Sequence, residues 1–204
     1  SGTNPDTGGF ETYVANAAKA TINGLEFDIT VAPTANLVMS VGYSYVDAQY
    51  DEWDRLVQEN GQVFTVDYSG VPFVYIPENT LNVSASYTLP LSQSIGEVTL
   101  TASAYWQDKM TTNDGAFRWP GLGWSDENLQ EALDSVEADD YTVANFRIEW
   151  GSVMGSSFDL AAYVNNAFDE DYITGGLSVP DSLGWAAASY GPPRTYAASL
   201  RYRF

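Results

Sequence analysis

From residue 36 to residue 48 the chain reads NLVMSVGYSYVDA, in which Leu37, Met39, Val41, Tyr43 and Tyr45 are apolar and Ser40, Gly42 and Ser44 between them are small or polar. Side chains of a strand alternate between its two faces, so this period of two predicts a β-strand with one apolar side. The alternation returns over 79–89, with Leu81, Val83, Ala85, Tyr87 and Leu89 against Asn82, Ser84, Ser86 and Thr88. Over 96–108 it sets Val98, Leu100, Ala102, Ala104 and Trp106 against Thr99, Thr101, Ser103, Tyr105 and Gln107. Residues 141–151 set Ala144, Phe146, Ile148 and Trp150 against Asn145, Arg147 and Glu149, and 156–166 set Phe158, Leu160, Ala162 and Val164 against Asp159, Ala161, Tyr163 and Asn165. An earlier strand is expected over 12–32, where Leu25, Phe27, Ile29 and Val31 alternate with Gly24, Glu26, Asp28 and Thr30. The last strand runs to the end of the chain, with Tyr196, Ala198, Leu200, Tyr202 and Phe204 on one face and Thr195, Ala197, Ser199, Arg201 and Arg203 on the other.

Strands of about eleven to thirteen residues exceed the five or six usual in globular sheets. At about 3.3 Å per residue and a tilt near 40°, such a strand rises about 30 Å, enough to cross an apolar band about 25 Å tall. The connections alternate in length. Residues 33–35, 90–95 and 152–155 are tight turns carrying Pro, Gly, Ser or Asn. Residues 49–78, 109–140 and 167–193 are long connections of roughly thirty residues each. Short periplasmic turns and long extracellular loops give an outer-membrane barrel this alternation. The predicted fold is therefore all-β, an antiparallel transmembrane β-barrel of which this chain supplies about seven long strands. An odd count that ends in the periplasm begins outside the cell, whereas exported single-chain barrels have an even count and begin inside. Residues 1–204 are thus expected to be the C-terminal portion of a larger barrel, with Phe204 closing the ring against a strand not in this chain. The alternative is an eighth strand within residues 1–16, which would make a small complete barrel acting as a passive pore or a structural membrane protein.

Composition narrows the choice. Hydrophobic residues at 45% and aromatics at 14% are too abundant for a disordered chain, and charged residues at 17% are few for a soluble surface. No run approaches the eighteen or so apolar residues of a membrane helix. The net charge of −19, with 8 scattered Lys and Arg, argues against nucleic acid as a partner. The chain has no His and no Cys, which removes the usual general base, the thiol nucleophile and the commonest zinc ligands. Carboxylate chemistry of the glycosidase type would need a convergent pair that the sequence does not display. No enzymatic activity and no cofactor are expected. The opening SGTNPDTGGF has neither the charged nor the apolar region of a signal peptide, so either a signal was removed or upstream residues are absent.

Three stretches carry a family resemblance. YVANAAKATINGLEFDI resembles the Tyr-x-Asn-x-Gly-x-x-x-x-x-Gly-x-Glu strand of TonB-dependent outer-membrane receptors, and VNNAFDEDYITGG resembles their Asn-Leu-Phe-Asp-x-x-Tyr segment. The ending YGPPRTYAASLRYRF is similar to their Gly-x-Pro-Arg followed by an alternating strand to Phe. The landmarks stand in the family's order from Tyr13 to Phe204, although Ala17 or Ala18 replaces a Gly of the first and Ala167 replaces the Leu of the second. The resemblance implies a Gram-negative outer-membrane receptor that takes up a scarce nutrient such as a siderophore, cobalamin or a saccharide. It also implies several partners: the remainder of the barrel, a plug domain, the TonB complex acting through a plug segment, the barrel-assembly machinery, and the bilayer with its lipopolysaccharide. Neither the plug nor the TonB-contacting segment is found in this chain.

Candidate residues follow from position. Leu200, Tyr202 and Phe204 look like the C-terminal signal read by the assembly machinery, and an aromatic strand end also suits the membrane interface. Arg147, Arg201 and Arg203 fall on the polar phase, hence toward the lumen, where they balance Glu26, Asp28, Glu149 and Asp159 or line a path for an anion. Trp119, Trp124, Trp185 and Tyr190 lie in Gly- and Pro-containing loops, where aromatic faces suit a flat ligand or a sugar ring, and loop self-packing explains them equally well. The acidic clusters Asp51, Glu52, Asp54, then Glu137, Asp139, Asp140, then Asp169, Glu170, Asp171 lack the spacing of a calcium loop and read as solvated loop surface.

Overall fold

Alternation becomes structure through backbone pairing. The computed structural model describes residues 2–3, 10–11, 18–59, 62–113, 134–179 and 185–204. In chain order the strands are β1 (Gly2–Thr3), β2 (Phe10–Glu11), β3 (Ala18–Thr34), β4 (Leu37–Glu59), β5 (Gln62–Asp67), β6 (Asn79–Thr88) and β7 (Glu97–Gln107). They continue with β8 (Met110–Thr111), β9 (Glu137–Ala138), β10 (Tyr141–Gly151), β11 (Phe158–Asn165), β12 (Ile173–Val179), β13 (Trp185–Tyr190) and β14 (Thr195–Tyr202). One sheet has the order β14-β11-β10-β7-β6-β4-β3 and every pair with a described register is antiparallel. The seven strands on this path are those the alternation predicts, and β5 joins the sheet as an eighth by pairing with β4; the part of the first expectation at 12–17 lies outside the described residues. Within residues 1–17, β1 and β2 pair with each other and not with this sheet.

Register gives the sheet two different faces. Following the ladders across six strands, Met39, Ala85, Ala102, Phe146, Val164 and Tyr196 form one row, and Leu37, Tyr87, Leu100, Ile148, Ala162 and Ala198 form another. Between these two rows run Val38, Ser86, Thr101, Arg147, Tyr163 and Ala197, and the rows flanking the pair hold Ser40, Ser84, Ser103 and Asn145 on one side and Thr88, Thr99, Glu149, Ala161 and Ser199 on the other. A slip of one residue in β10 would put Arg147 and Glu149 into apolar rows, so the pattern itself fixes the register of that strand. Hydroxyl pairs add to the polar face, with Thr30 to Ser40 at 3.0 Å and Thr88 to Thr99 at 3.1 Å.

The short connections are turns as expected, although β3 continues through Pro33 and Thr34 so that the first turn is 35–36, and the other two dock on one another. The Met154 N–H donates to the Ile95 carbonyl at 3.0 Å, and the Trp150 indole N–H donates to the same oxygen at 2.7 Å. Residues Val153–Gly155 form a tight turn entered by Ser152 at φ 49°, whose N–H donates to Asp159 Oδ1 at 2.8 Å, and Met154 at φ 51° is left-handed as well. Gly96 closes the facing turn at φ +96°, and a Cβ there would overlap the carbonyl oxygens of Gly151 and Ser152.

The long connections differ from the unstructured loops expected. β4 runs on to Glu59 and returns as β5, with Glu59 opposite Gln62 and Asp54 opposite Asp67. β8 pairs β9, and β12 pairs β13 from Ile173 opposite Tyr190 to Val179 opposite Trp185. Backbone groups need partners whether or not the side chains alternate, and a hairpin supplies them within the connection itself. Contacts divide the chain into two units, Ser1–Thr21 with Gln49–Val71, and Ile22–Ala48 with Pro72–Phe204. In the first unit, Lys19 pairs with Glu52 at 2.7 Å and the Trp53 ring stands 5.5 Å from that of the buried Tyr68. Asp67 accepts the Ser69 N–H at 2.8 Å, which holds its carboxyl below the usual range. Within the second unit lie the short turns and the candidate site.

Replacing Gly96 by Ala should lower the urea midpoint of the full-length protein by the equivalent of about 1–3 kcal/mol, since a left-handed residue packed against two carbonyls would acquire a Cβ. An unaltered midpoint would show that the docked turns yield without strain.

Candidate functional site

The polar face of the sheet carries two constellations, one at each end of the strands. At the short-turn end, Arg147 and Glu149, two residues apart on one face of β10, pair at 2.7 Å, and the Arg147 guanidinium lies 5.7 Å from the Tyr163 ring centre. Across β11 and β14, Asp159 is opposite Arg201, and Arg203 reaches Asp159 Oδ1 at 2.5 Å and Ser152 Oγ at 2.8 Å. Arg147, Arg201, Arg203, Glu97, Glu149 and Asp159 line one cleft of about 470 Å³. The three arginines singled out from parity are thus brought together, interleaved with carboxylates. Two of them are ion-paired, and Arg201 makes no ion pair among the described residues.

At the opposite end the constellation is aromatic. Gln107 is only 4% exposed, and its Oε1 accepts hydrogen bonds from the Tyr105 hydroxyl at 2.9 Å and the Tyr141 hydroxyl at 3.0 Å. The Tyr141 ring stacks on Tyr172 with centroids 4.4 Å apart. Tyr172 in turn lies over Gly191, where any Cβ would overlap its ring. A glycine is needed there because two segments of chain approach each other closely.

Beyond the strand ends the long connections pack together. The Tyr75 N–H donates to the Thr111 carbonyl at 2.8 Å, and the Thr112 N–H and hydroxyl donate to the Val136 carbonyl at 2.7 and 2.8 Å. Thr112, Val136 and Ala138 are buried, and a Cβ at Gly176 of β12 would meet Thr112 and Val136. Lys109 pairs with Glu137 at 2.9 Å, and that hydrogen bond raises the ammonium pKa above its ordinary value.

The remaining sequence candidates are more dispersed. Trp119 and Trp124 lie outside the described residues. Trp185 opens β13 with its backbone opposite Val179, and Tyr190 closes β13 opposite Ile173 with an exposed side chain. Leu200 and Tyr202 sit on the apolar face of β14, opposite Leu160 and Phe158, and the Phe158, Tyr202 and Phe204 rings follow one another at 4.9 and 5.1 Å. Sequence reasoning did not single out Tyr105, Gln107, Tyr141 and Tyr172. The signal available for the first two was their place on the polar phase of an otherwise Ser- and Thr-rich strand. Among the described residues no group of three His, Cys, Asp or Glu side chains is arranged to hold a metal ion.

The fold is thus an antiparallel sheet of long strands with one apolar face, one polar face, short turns at one end and paired hairpins at the other. The chain belongs to the TonB-dependent receptor-like β-barrel family, whose sequence model matches residues 1–167. Among solved structures it is similar to the siderophore receptor PiuA of Acinetobacter baumannii, at 17% identity and a TM-score of 0.63 over 91% of this chain and 22% of that one. It is also similar to the ferric yersiniabactin uptake receptor FyuA of Yersinia pestis, at 15% identity and a TM-score of 0.64 over 93% of this chain and 24% of that one. The outer-membrane ferripyoverdine receptor of Pseudomonas aeruginosa matches at 21% identity and a TM-score of 0.60 over 98% of this chain and 21% of that one. The likeness is one of fold, and this chain spans less than a quarter of each receptor's length.

Replacing Gln107 by Leu leaves two tyrosine hydroxyls without their acceptor and should lower stability by about 1–3 kcal/mol in urea unfolding of the full-length receptor in micelles, with Gln107→Glu closer to the unaltered protein. Equal midpoints for Leu and Gln would remove Gln107 from the account of the tyrosine wall.

Proposed function

We propose that this chain is the C-terminal part of the barrel of an outer-membrane receptor, and that the whole protein imports a scarce nutrient with energy delivered through TonB. The observation that carries the reading is the uncovered apolar face. Leu100, Phe146, Ile148 and Leu160, in the interior of the strands and on one side of the sheet, remain 41–44% exposed. A continuous face of this kind over seven strands is far larger than the scattered apolar residues of a soluble surface, and hydrocarbon is the surrounding it fits. Strands β3 and β14 end the sheet, and unpaired edges do not persist in lipid, so further strands flank both.

On this reading the docked short turns face the periplasm and the interlocked hairpins face outward, beside lipopolysaccharide. The arginine and carboxylate cleft looks into the lumen near its inner end, toward a plug supplied by the rest of the protein, through which the TonB complex acts. Leu200, Tyr202 and Phe204 serve barrel assembly. The tyrosine wall, with Tyr190 and the outer hairpins, stands where ligand arrives, and Trp119, Trp124 and Trp185 belong to the same outer connections. The similar receptors named above take siderophores or their ferric complexes, which favours a ferric chelate as the nutrient class. Nothing in the reading calls for catalysis.

The full-length receptor, expressed in a strain lacking other ferric-siderophore receptors, should import at least one labelled ferric chelate from a panel of catecholate, phenolate and hydroxamate types, and deletion of TonB should abolish the import. Uptake that persists without TonB would overturn the energised mechanism, and no uptake of any ferric chelate would overturn the nutrient class. Independently, Ile148→Arg on the apolar face should destabilise the folded receptor by about 2–4 kcal/mol and Ser84→Arg on the polar face by far less. Equal effects would deny that the two faces meet lipid and lumen.

A further inference from the structure

Five hydrogen bonds converge on one buried residue where β11 leads into the last outer connection, one of them from the Asp169 N–H to its carbonyl at 2.9 Å. Asn166 is 3% exposed and sits at φ 48°, in the left-handed region that Asn tolerates better than most residues. Its N–H donates to Asn145 Oδ1 at 3.0 Å. Its Nδ2 donates to the carbonyls of Glu170 at 2.8 Å and Pro192 at 3.2 Å, while its Oδ1 accepts the Glu170 N–H at 2.9 Å. Three residues on, Asp169 at φ 60° accepts the Arg194 N–H at 3.0 Å and the Arg194 guanidinium at 3.1 Å. The Gly191 N–H then donates to the Tyr172 carbonyl at 2.8 Å.

These contacts join residues 166–172, which enter the β12–β13 hairpin, to residues 191–194, which leave it. The join reaches further along the wall, because Tyr172, seated on Gly191, stacks on Tyr141, and Tyr141 shares Gln107 with Tyr105. An exposed ion pair such as Asp169 with Arg194 contributes little by itself. A buried amide that satisfies three backbone groups is another matter, since its removal leaves those groups without partners.

We propose that Asn166, Asp169 and Arg194 are positioning residues, forming a clamp across both feet of the last outer hairpin that holds Tyr172 and the hairpin in place over the tyrosine wall before ligand arrives. The proposal rests on the receptor reading for its use, because a preformed mouth binds with less ordering cost than one assembled around the ligand. The clamp itself is a property of the fold and is tested without any ligand.

In the full-length receptor in micelles, hydrogen exchange should report it directly. Asn166→Gly keeps the backbone conformation and removes the amide; Asn166→Asp keeps the acceptor for Glu170; Asp169→Ala removes the exposed half of the clamp and keeps the variant set informative if Asn166→Gly does not fold. Amides of Ile173–Val179 and Trp185–Tyr190 should exchange about tenfold faster in Asn166→Gly, with Asn166→Asp intermediate and Asp169→Ala faster than the unaltered protein by a smaller factor of about two to four. Exchange in β6 and β7 and the heat-modifiable gel shift of the barrel should be unchanged. Affinity for a ferric tris-catecholate probe should fall about tenfold in Asn166→Gly and recover in part in Asn166→Asp. Unchanged hairpin exchange in folded variants would overturn the clamp, and so would faster exchange spread equally through β10 and β11, which would make Asn166 a stabiliser of the wall as a whole. If the unaltered receptor does not bind this probe, the ferric chelate it does import replaces it; if it binds no ferric chelate at all, the siderophore reading fails, and the exchange data still decide the clamp.

Discussion

Backbone hydrogen bonding is the constraint from which the rest of this structure follows, and on the receptor reading it must be met in hydrocarbon, without water. A strand there needs partners on both sides, and β4, β6, β7, β10 and β11 each have a neighbour to left and right. Once the pairing is continuous, side-chain parity is shared by every strand in the row. Met39 and Tyr196 fall on the same face although five ladders separate them, because Ala85, Ala102, Phe146 and Val164 carry the register between them. The same continuity collects Arg147, Arg201 and Arg203 with Glu149 and Asp159 on the other face, where charge can be balanced by charge.

Each end of the strands meets that constraint differently. At one end the ladders close in turns so short that the turns support one another, through the Ile95 carbonyl that receives both Met154 and Trp150. At the other end the ladders continue into hairpins, where water is available and the pairing need not serve lipid. There the structure is held by small local knots: the buried Thr112, Val136 and Ala138, the Gln107 acceptor with its two tyrosines, and Asn166 between the feet of the last hairpin. Ligand-facing loops carried by knots of this kind combine exposure with a defined shape, which a receptor mouth needs.

How legible each part was in the sequence follows from the same division. The strands were legible because two unlike faces, lipid and lumen on the receptor reading, impose a period of two, and that period survives even where Tyr105 or Arg147 interrupts the run of small polar residues. The hairpins were not, because a ladder in water places no apolar demand on alternate positions; residues 49–59 of β4 continue a strand whose apolar alternation has stopped. The arginine cleft could be placed on a face by parity, but its pairing partners needed the register of β11 against β14. The tyrosine wall and the Asn166 clamp are assembled from residues as far apart as Tyr105 and Arg194, and no spacing along the chain announces such a meeting. The family segment from Val164 to Gly176 did mark Asn166, without indicating that its work is to hold Pro192.

The central claim is that a single sheet has lipid on one face and an aqueous lumen on the other, residue by residue. Nitroxide labels placed in turn at positions 144 to 150 of β10 in the full-length receptor, reconstituted in bilayers, measure it through collision with oxygen and with a water-soluble nickel chelate. The account predicts that Ala144, Phe146, Ile148 and Trp150 favour oxygen and that Asn145, Arg147 and Glu149 favour nickel, with the two profiles out of phase at a period of two. Profiles in phase along the strand, or uniform nickel access at every position, would contradict it.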